Sequence, residues 1–144
     1  MKKFDFPLAR VMDFRRIEAR VEEIKLEALY AELRAIDARE AASIQERIES
    51  EKILKSAKSV SGFDLEMFET YRLAMKEDQK RTDKARADCR KRIDAQLAAL
   101  MVKRRDVKLL EHLKEQRFKT WEKEMFKEID QQADEAYLAK WGTR

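Results

Sequence analysis

Lys58-Ser59-Val60-Ser61-Gly62-Phe63-Asp64 is the stretch on which the fold turns, because it alone in the chain carries turn chemistry. Three helix breakers punctuate the sequence: Pro7 near the start, Gly62 in the middle and Gly142 near the end. Pro7 suits a first helical turn, where a missing N–H costs nothing, and Gly142 suits the position just past a helix end. Asp64 is placed to cap a second helix with its side-chain oxygen. The expectation is an all-α chain of two long helices, near residues 7–58 and 64–141. They are joined by a turn near 59–63 and folded as an antiparallel coiled-coil hairpin in a single domain, residues 1–144.

Composition points the same way. Of 144 residues, 43% are charged, with only 2 Gly and 1 Pro, so turns are scarce. Ala, Glu, Lys, Leu and Arg supply more than half of the chain, the usage of long helices rather than layered folds. The net charge of +4 arises from 33 basic and 29 acidic residues mixed finely along the sequence, which argues weakly for nucleic acid. The longest apolar run, Leu97 to Val102, is far short of a membrane helix, and nothing of signal-peptide type follows Met1-Lys2-Lys3. A soluble, cytoplasmic protein is expected. Cys89 is the only cysteine, so no internal disulfide forms.

A heptad rhythm tells how the helices should meet. In the first helix Phe14, Ile17, Val21, Ile24, Ala28, Ala31, Ala35, Ala38 and Ala42 alternate spacings of three and four, which predicts the seam of a left-handed coiled coil. In the second, Tyr71, Met75, Asp78, Thr82, Ala85 and Cys89 keep the rhythm. Ile93, Leu97, Leu100, Arg104 and Val107 resume it after a small phase slip. Folding about residue 61 sets alanines against Thr82, Ala85 and Cys89, a narrow waist that buries little apolar area. Asp78 and Thr82 in the seam lower stability but help fix register.

Equal lengths run back from the turn, so the first helix should cover the second only to about residue 115. The remainder, about 38 Å at roughly 1.5 Å per residue, overhangs. Phe118, Trp121, Met125, Ile129, Ala133 and Ala136 carry the apolar stripe into it, which reads as a docking face. Glu124, Glu128, Gln131 and Glu135 form a row of one charge sign along the stripe, while Lys123 and Lys127 alternate with Asp130 and Asp134 on the far side. Acids this close to a helix C-terminus are mildly unfavourable, by about 0.3–1 kcal/mol each, and suit an end held by a partner's basic groups.

Chemistry for catalysis is sparse: one histidine, His112, one cysteine and no glycine-rich phosphate loop. His112 reads as a solvated helix-surface side chain and Cys89 as a small apolar seam residue. The cations Lys76, Lys80, Arg81, Lys84, Arg86, Arg90, Lys91 and Arg92 are interrupted by Asp78, Asp83, Asp88 and Asp94, so they read as a solvated coiled-coil face before a phosphate-binding one. Phe63, Met67, Phe68, Tyr71 and Met75 crowd the hairpin tip, where they either close the turn or form a binding surface. No enzyme activity, cofactor or metal is expected.

The chain opens on Phe4-Asp5-Phe6-Pro7-Leu8-Ala9-Arg10-Val11-Met12-Asp13-Phe14-Arg15. Near its close stand Leu113-Lys114-Glu115-Gln116-Arg117, Trp121 and Lys127-Glu128-Ile129-Asp130-Gln131-Gln132-Ala133-Asp134-Glu135. In these stretches both ends resemble the FliJ family of flagellar export proteins. Length and two-helix plan agree, and injectisome stalk proteins are similar in plan. The resemblance implies a non-enzymatic component of the flagellar type III export apparatus, a shaft-like coupling protein between the hexameric export ATPase FliI and the export gate protein FlhA, and an escort for export chaperones. It would lie in the cytoplasm, peripherally at the inner-membrane export apparatus. The matching positions imply ATPase contacts at Arg117, Trp121, Asp130, Gln131, Asp134 and Glu135, and gate contacts at Phe68, Tyr71, Arg72 and Met75. A general structural coiled coil that homodimerises through paired overhangs is the alternative from another class.

Overall fold

A computed structural model describes residues 2–142, and these form two helices, α1 (Ala9–Ser56) and α2 (Gly62–Gly142), with no strand among the described residues. The chain is a helical hairpin, as the turn chemistry predicts. Pro7 stands one step earlier than expected, in a turn ahead of α1 in which the Ala9 N–H donates to the Phe6 carbonyl at 3.0 Å. Its fixed φ suits the second position of that turn. The start of α2 also differs in detail. Ser61, not Asp64, is the cap: the Asp64 N–H donates to Ser61 Oγ at 3.1 Å, and the Ser61 N–H donates back to Asp64 Oδ2 at 3.4 Å. This reciprocal box satisfies two otherwise orphaned donors and makes Gly62 the first helical residue rather than part of the turn.

The molecule comprises two compact units, Glu22–Ala99 and Met1–Val21 with Leu100–Arg144. Within Glu22–Ala99, rising numbers on α2 meet falling numbers on α1, the signature of an antiparallel pair. Arg86 bonds Glu40 and, at 3.0 Å, Asp37; Arg92 bonds Glu32; and the Gln96 amide donates to the Glu22 carbonyl at 3.0 Å. Leu26, Ile36, Cys89 and Ile93 are buried between the helices. The second unit runs in the same sense, from Lys103 on Glu18 at 3.5 Å to Glu111 on Arg16 at 3.3 Å, around buried Phe6, Met12 and Leu100.

The seam of α1 is not the one its rhythm first suggests. The positions turned inward are Leu8, Met12, Arg15 and Ala19 in one unit, and Glu22, Leu26, Leu29, Leu33, Ile36, Glu40 and Ser43 in the other. From Met12 to Glu40 each lies two residues from a member of the expected series, about 200° around the helix, and so on the opposite face. Phe14, Ile17, Val21 and Ile24 are between 45% and 62% exposed, and Ala28, Ala31, Ala35, Ala38 and Ala42 are exposed with them. Both faces of α1 carry a heptad, and α2 decides between them. Its small residue Cys89 leaves room that alanines cannot fill, whereas Leu29, against whose backbone the thiol lies, can, so a large side chain packs against a small one. Cys89 is fully buried, with its thiol donating to the Leu29 carbonyl at 3.5 Å. An alanine waist therefore does not form.

On α2 the expected face is largely the observed one. Cys89, Ile93 and Leu100 are buried, and Tyr71, Met75, Thr82, Leu97 and Val107 half-buried. Asp78, Ala85 and Arg104 are exposed, and near the phase slip Arg86 turns inward in place of Ala85. Its guanidinium, hydrogen-bonded first by Glu40 and then by Asp37, is held above its ordinary pKa. No helix among the described residues is long and apolar enough to cross a membrane.

Candidate docking face

The last third of α2 lies wholly in the unit Met1–Val21 with Leu100–Arg144, and the N-terminal segment reaches its first turns there. Residues 2–6 are not helical, and a non-helical segment can reach about twice as far per residue as a helix does. They therefore pass the limit near residue 115 set by counting helical residues alone. Phe4 packs edge-on against Phe118, with centroids 5.2 Å apart and planes at 85°, and lies 5.9 Å from the Trp121 ring. Phe118 and Trp121 stack at 5.6 Å. Trp121 Nε1 donates to the Lys2 carbonyl at 3.1 Å, and the Arg117 guanidinium sits 5.9 Å from the centroid of buried Phe6. Phe118, Trp121 and Arg117 thus hold the N-terminal segment, and the expectation that Phe118 and Trp121 belong to a bare overhang is corrected.

Beyond this cluster the character changes. Met125 and Glu128 are half-buried, and every residue from Ile129 to Gly142 is exposed. Ile129, Tyr137, Leu138 and Trp141 are half to two-thirds exposed, although they sit in continuous helix. Phe126, Ile129, Ala133, Tyr137 and Trp141 recur at spacings of three and four, so they share one face within about 120° of arc. Tyr137 and Trp141 touch along it, with ring centroids 5.9 Å apart. Asp130 falls within this arc and Asp134 just outside it, while Gln131 and Glu135 lie around the helix from it. The six residues that the resemblance assigns to an ATPase therefore divide. Arg117 and Trp121 are in the aromatic cluster, and Asp130, Gln131, Asp134 and Glu135 are on the exposed helix at least about 13 Å further along. The aromatic pair Tyr137 and Trp141 was missing from the predicted stripe; its signal was an i, i+4 spacing that the alanines at 133 and 136 masked.

The residues implied for a gate partner lie at the other end of α2. Phe68, Tyr71 and Met75 are half-buried on the hairpin seam, while Arg72 points outward and pairs with Glu69 at 2.9 Å. The Tyr71 hydroxyl is buried and finds no hydrogen-bond partner. Of the cationic run, Arg86 and Arg92 are bound to acids of α1 and Lys80 to Glu77. His112 is exposed, with Nε2 at 3.1 Å from the Gln116 side-chain nitrogen. A groove of about 380 Å³ in Glu22–Ala99 is lined by Ile36, Arg39, Ser43, Asp78, Arg81 and Thr82, where polar Asp78 and Thr82 interrupt the seam. No group of three or more histidine, cysteine or acidic side chains placed to hold a metal occurs among the described residues.

No protein-family model, no curated protein and no solved structure matches the chain.

Proposed function

We propose that the protein is a non-enzymatic docking and coupling component whose C-terminal helix face is completed by another protein. Its most specific form is a FliJ-like shaft of the flagellar type III export apparatus. One observation carries the reading: Ile129–Gly142 is helical and exposed throughout, with Ile129, Tyr137, Leu138 and Trp141 bare. A helical face with aromatic anchors and an acidic border is the kind of surface that a partner's apolar groove with a basic rim receives. In the specific form the partner is the export ATPase hexamer, met by Asp130, Gln131, Asp134 and Glu135. Arg117 and Trp121 then act at the base by anchoring the N-terminal segment. The seam end near Phe68, Tyr71, Arg72 and Met75 meets the export gate protein, and export chaperones are escorted. Such a protein works in the cytoplasm, at the inner membrane only through its partners, and serves motility.

The test is removal of residues 126–144, which leaves the Phe4, Phe118 and Trp121 cluster intact. The shortened chain should stay helical by circular dichroism and lose binding to a flagellar export ATPase. A shortened chain that bound and stimulated the ATPase like the full one would overturn the proposal.

A further inference from the structure

Within the unit Glu22–Ala99 the two edges of the helical seam treat their arginines differently. On one edge Arg86 of α2 is bonded by Glu40, Asp37 and Asp83, and the Gln79 amide donates to Glu40 and Asp83. There the cation is answered within the chain. On the other edge stand Arg39 of α1 and Arg81 of α2, which line one groove and take part in no ion pair among the described residues. The bonds of Gln79 with Glu40 and of Arg86 with Asp37 set the register, which brings Arg39 level with residues 80 to 84 of α2. Two like charges therefore meet across the groove. At three and four residues from Arg39, where a helix places charge partners, stand Ala35, Ile36, Ala42 and Ser43, none of them acidic. Around Arg81 the same positions hold Lys84, Ala85, Asp78 and Glu77, and Glu77 is bonded to Lys80. Asp78 lines the groove as well, and no ion pair joins it to either arginine.

We propose that this groove binds a small phosphate ester, with the phosphate held between Arg39 and Arg81. Charge and shape select that ligand. A carboxylate presents two oxygens in one plane and is satisfied by a single guanidinium fork. A phosphate monoester carries up to two charges and three acceptor oxygens arranged around phosphorus, so it answers forks that come from two walls at once. The cavity, about 380 Å³, is larger than a phosphate group alone requires, and it falls in the range of small-molecule sites, roughly 300–1,000 Å³. Buried Ile36, with Ala42 and Ala85, offers the organic part of the ester an apolar wall. Asp78 lies about one helical turn from Arg81 on the side of the hairpin turn. Its carboxylate repels a second anion and so keeps the phosphate at the arginine end of the groove.

Titration of the full chain with phenyl phosphate, followed through the guanidinium N–H resonances of Arg39 and Arg81 by nuclear magnetic resonance, tests this. Both signals should move and saturate at roughly millimolar ligand. Inorganic phosphate should move the same two signals but bind several-fold more weakly, because it leaves the apolar wall bare, and benzoate should bind roughly tenfold more weakly. Arg39→Gln and Arg81→Gln should each weaken phenyl phosphate by roughly tenfold, whereas Arg90→Gln, an exposed cation outside the groove, should change it by less than about twofold. Asp78→Asn should tighten it. All four positions are exposed, so the variants should keep the helical circular dichroism of the parent. Signals that do not move overturn the proposal, as does a site lost with one arginine and indifferent to the other. Benzoate bound as tightly as phenyl phosphate overturns the assignment to phosphate, and inorganic phosphate bound as tightly overturns the assignment to an ester. Arg90→Gln as costly as Arg39→Gln would reduce the binding to net charge and overturn the site, and a loss on Asp78→Asn would overturn the placement of the phosphate.

Discussion

At the scale of single residues, the turn rests on one hydroxyl. Ser61 Oγ accepts from the Asp64 N–H while Asp64 reaches back to the Ser61 N–H, so Ser61→Ala removes one bond and loosens the other. A loss of about 1 kcal/mol is expected from urea unfolding. Gly62, by contrast, does nothing that only glycine can do: its φ is not positive, and a Cβ there would meet no atom within 4 Å. Gly62→Ala should therefore stabilise, by up to about 1 kcal/mol, by restricting the unfolded chain. The sequence marked this turn through its glycine, and the glycine proved to be permissive where the serine is structural. Tyr71 offers a third case. Its buried hydroxyl has no partner, so Tyr71→Phe should raise stability by roughly 1 kcal/mol, read as a higher urea midpoint at unchanged slope.

At the scale of the helix, α1 shows why the number of elements is easier to read than the face each presents. Two breakers and one turn motif suffice to give two helices, but two heptads two residues apart compete for the seam, and the series of large residues that stood out, Phe14 to Ile24, is the outer one. Which face is buried depends on the room that Cys89 of α2 leaves, a fact of pairing that no single-helix pattern contains. A pair of substitutions reads it out. Leu26→Ala, at a buried position, should cost about 2–5 kcal/mol. Ala38→Leu, on the outer face, should change stability by less than about 0.5 kcal/mol, whereas on a closed seam the same enlargement would cost about 1–3 kcal/mol. The cover on α2 runs past residue 115 for a related reason: residues 2–6 are not helical, and so reach further per residue than the helical rise of α1 allows.

At the scale of the whole molecule, the legible part of the candidate site is its location on the closing helix. The illegible part is which of its aromatics are already engaged. Phe118 and Trp121 look from sequence like the start of a bare stripe because Phe4, their partner, lies more than a hundred residues away in the chain. Phe126, Tyr137 and Trp141 are the exposed aromatics on this face instead. Fluorescence separates the two: with Trp141→Phe, Trp121 should emit from a shielded site, and deleting residues 2–6 should shift that emission to the red. Binding of a partner to the closing face should instead perturb Trp141.

The hydrogen bond from Trp121 to the Lys2 carbonyl spans 119 positions of sequence. During synthesis Phe4 leaves the ribosome more than a hundred residues ahead of Phe118 and Trp121 and must stay unmatched until they have followed. Closure of this cluster is therefore a late event of biogenesis, and chains whose translation stops short of residue 118 can be told from finished ones by the bare phenylalanine they display.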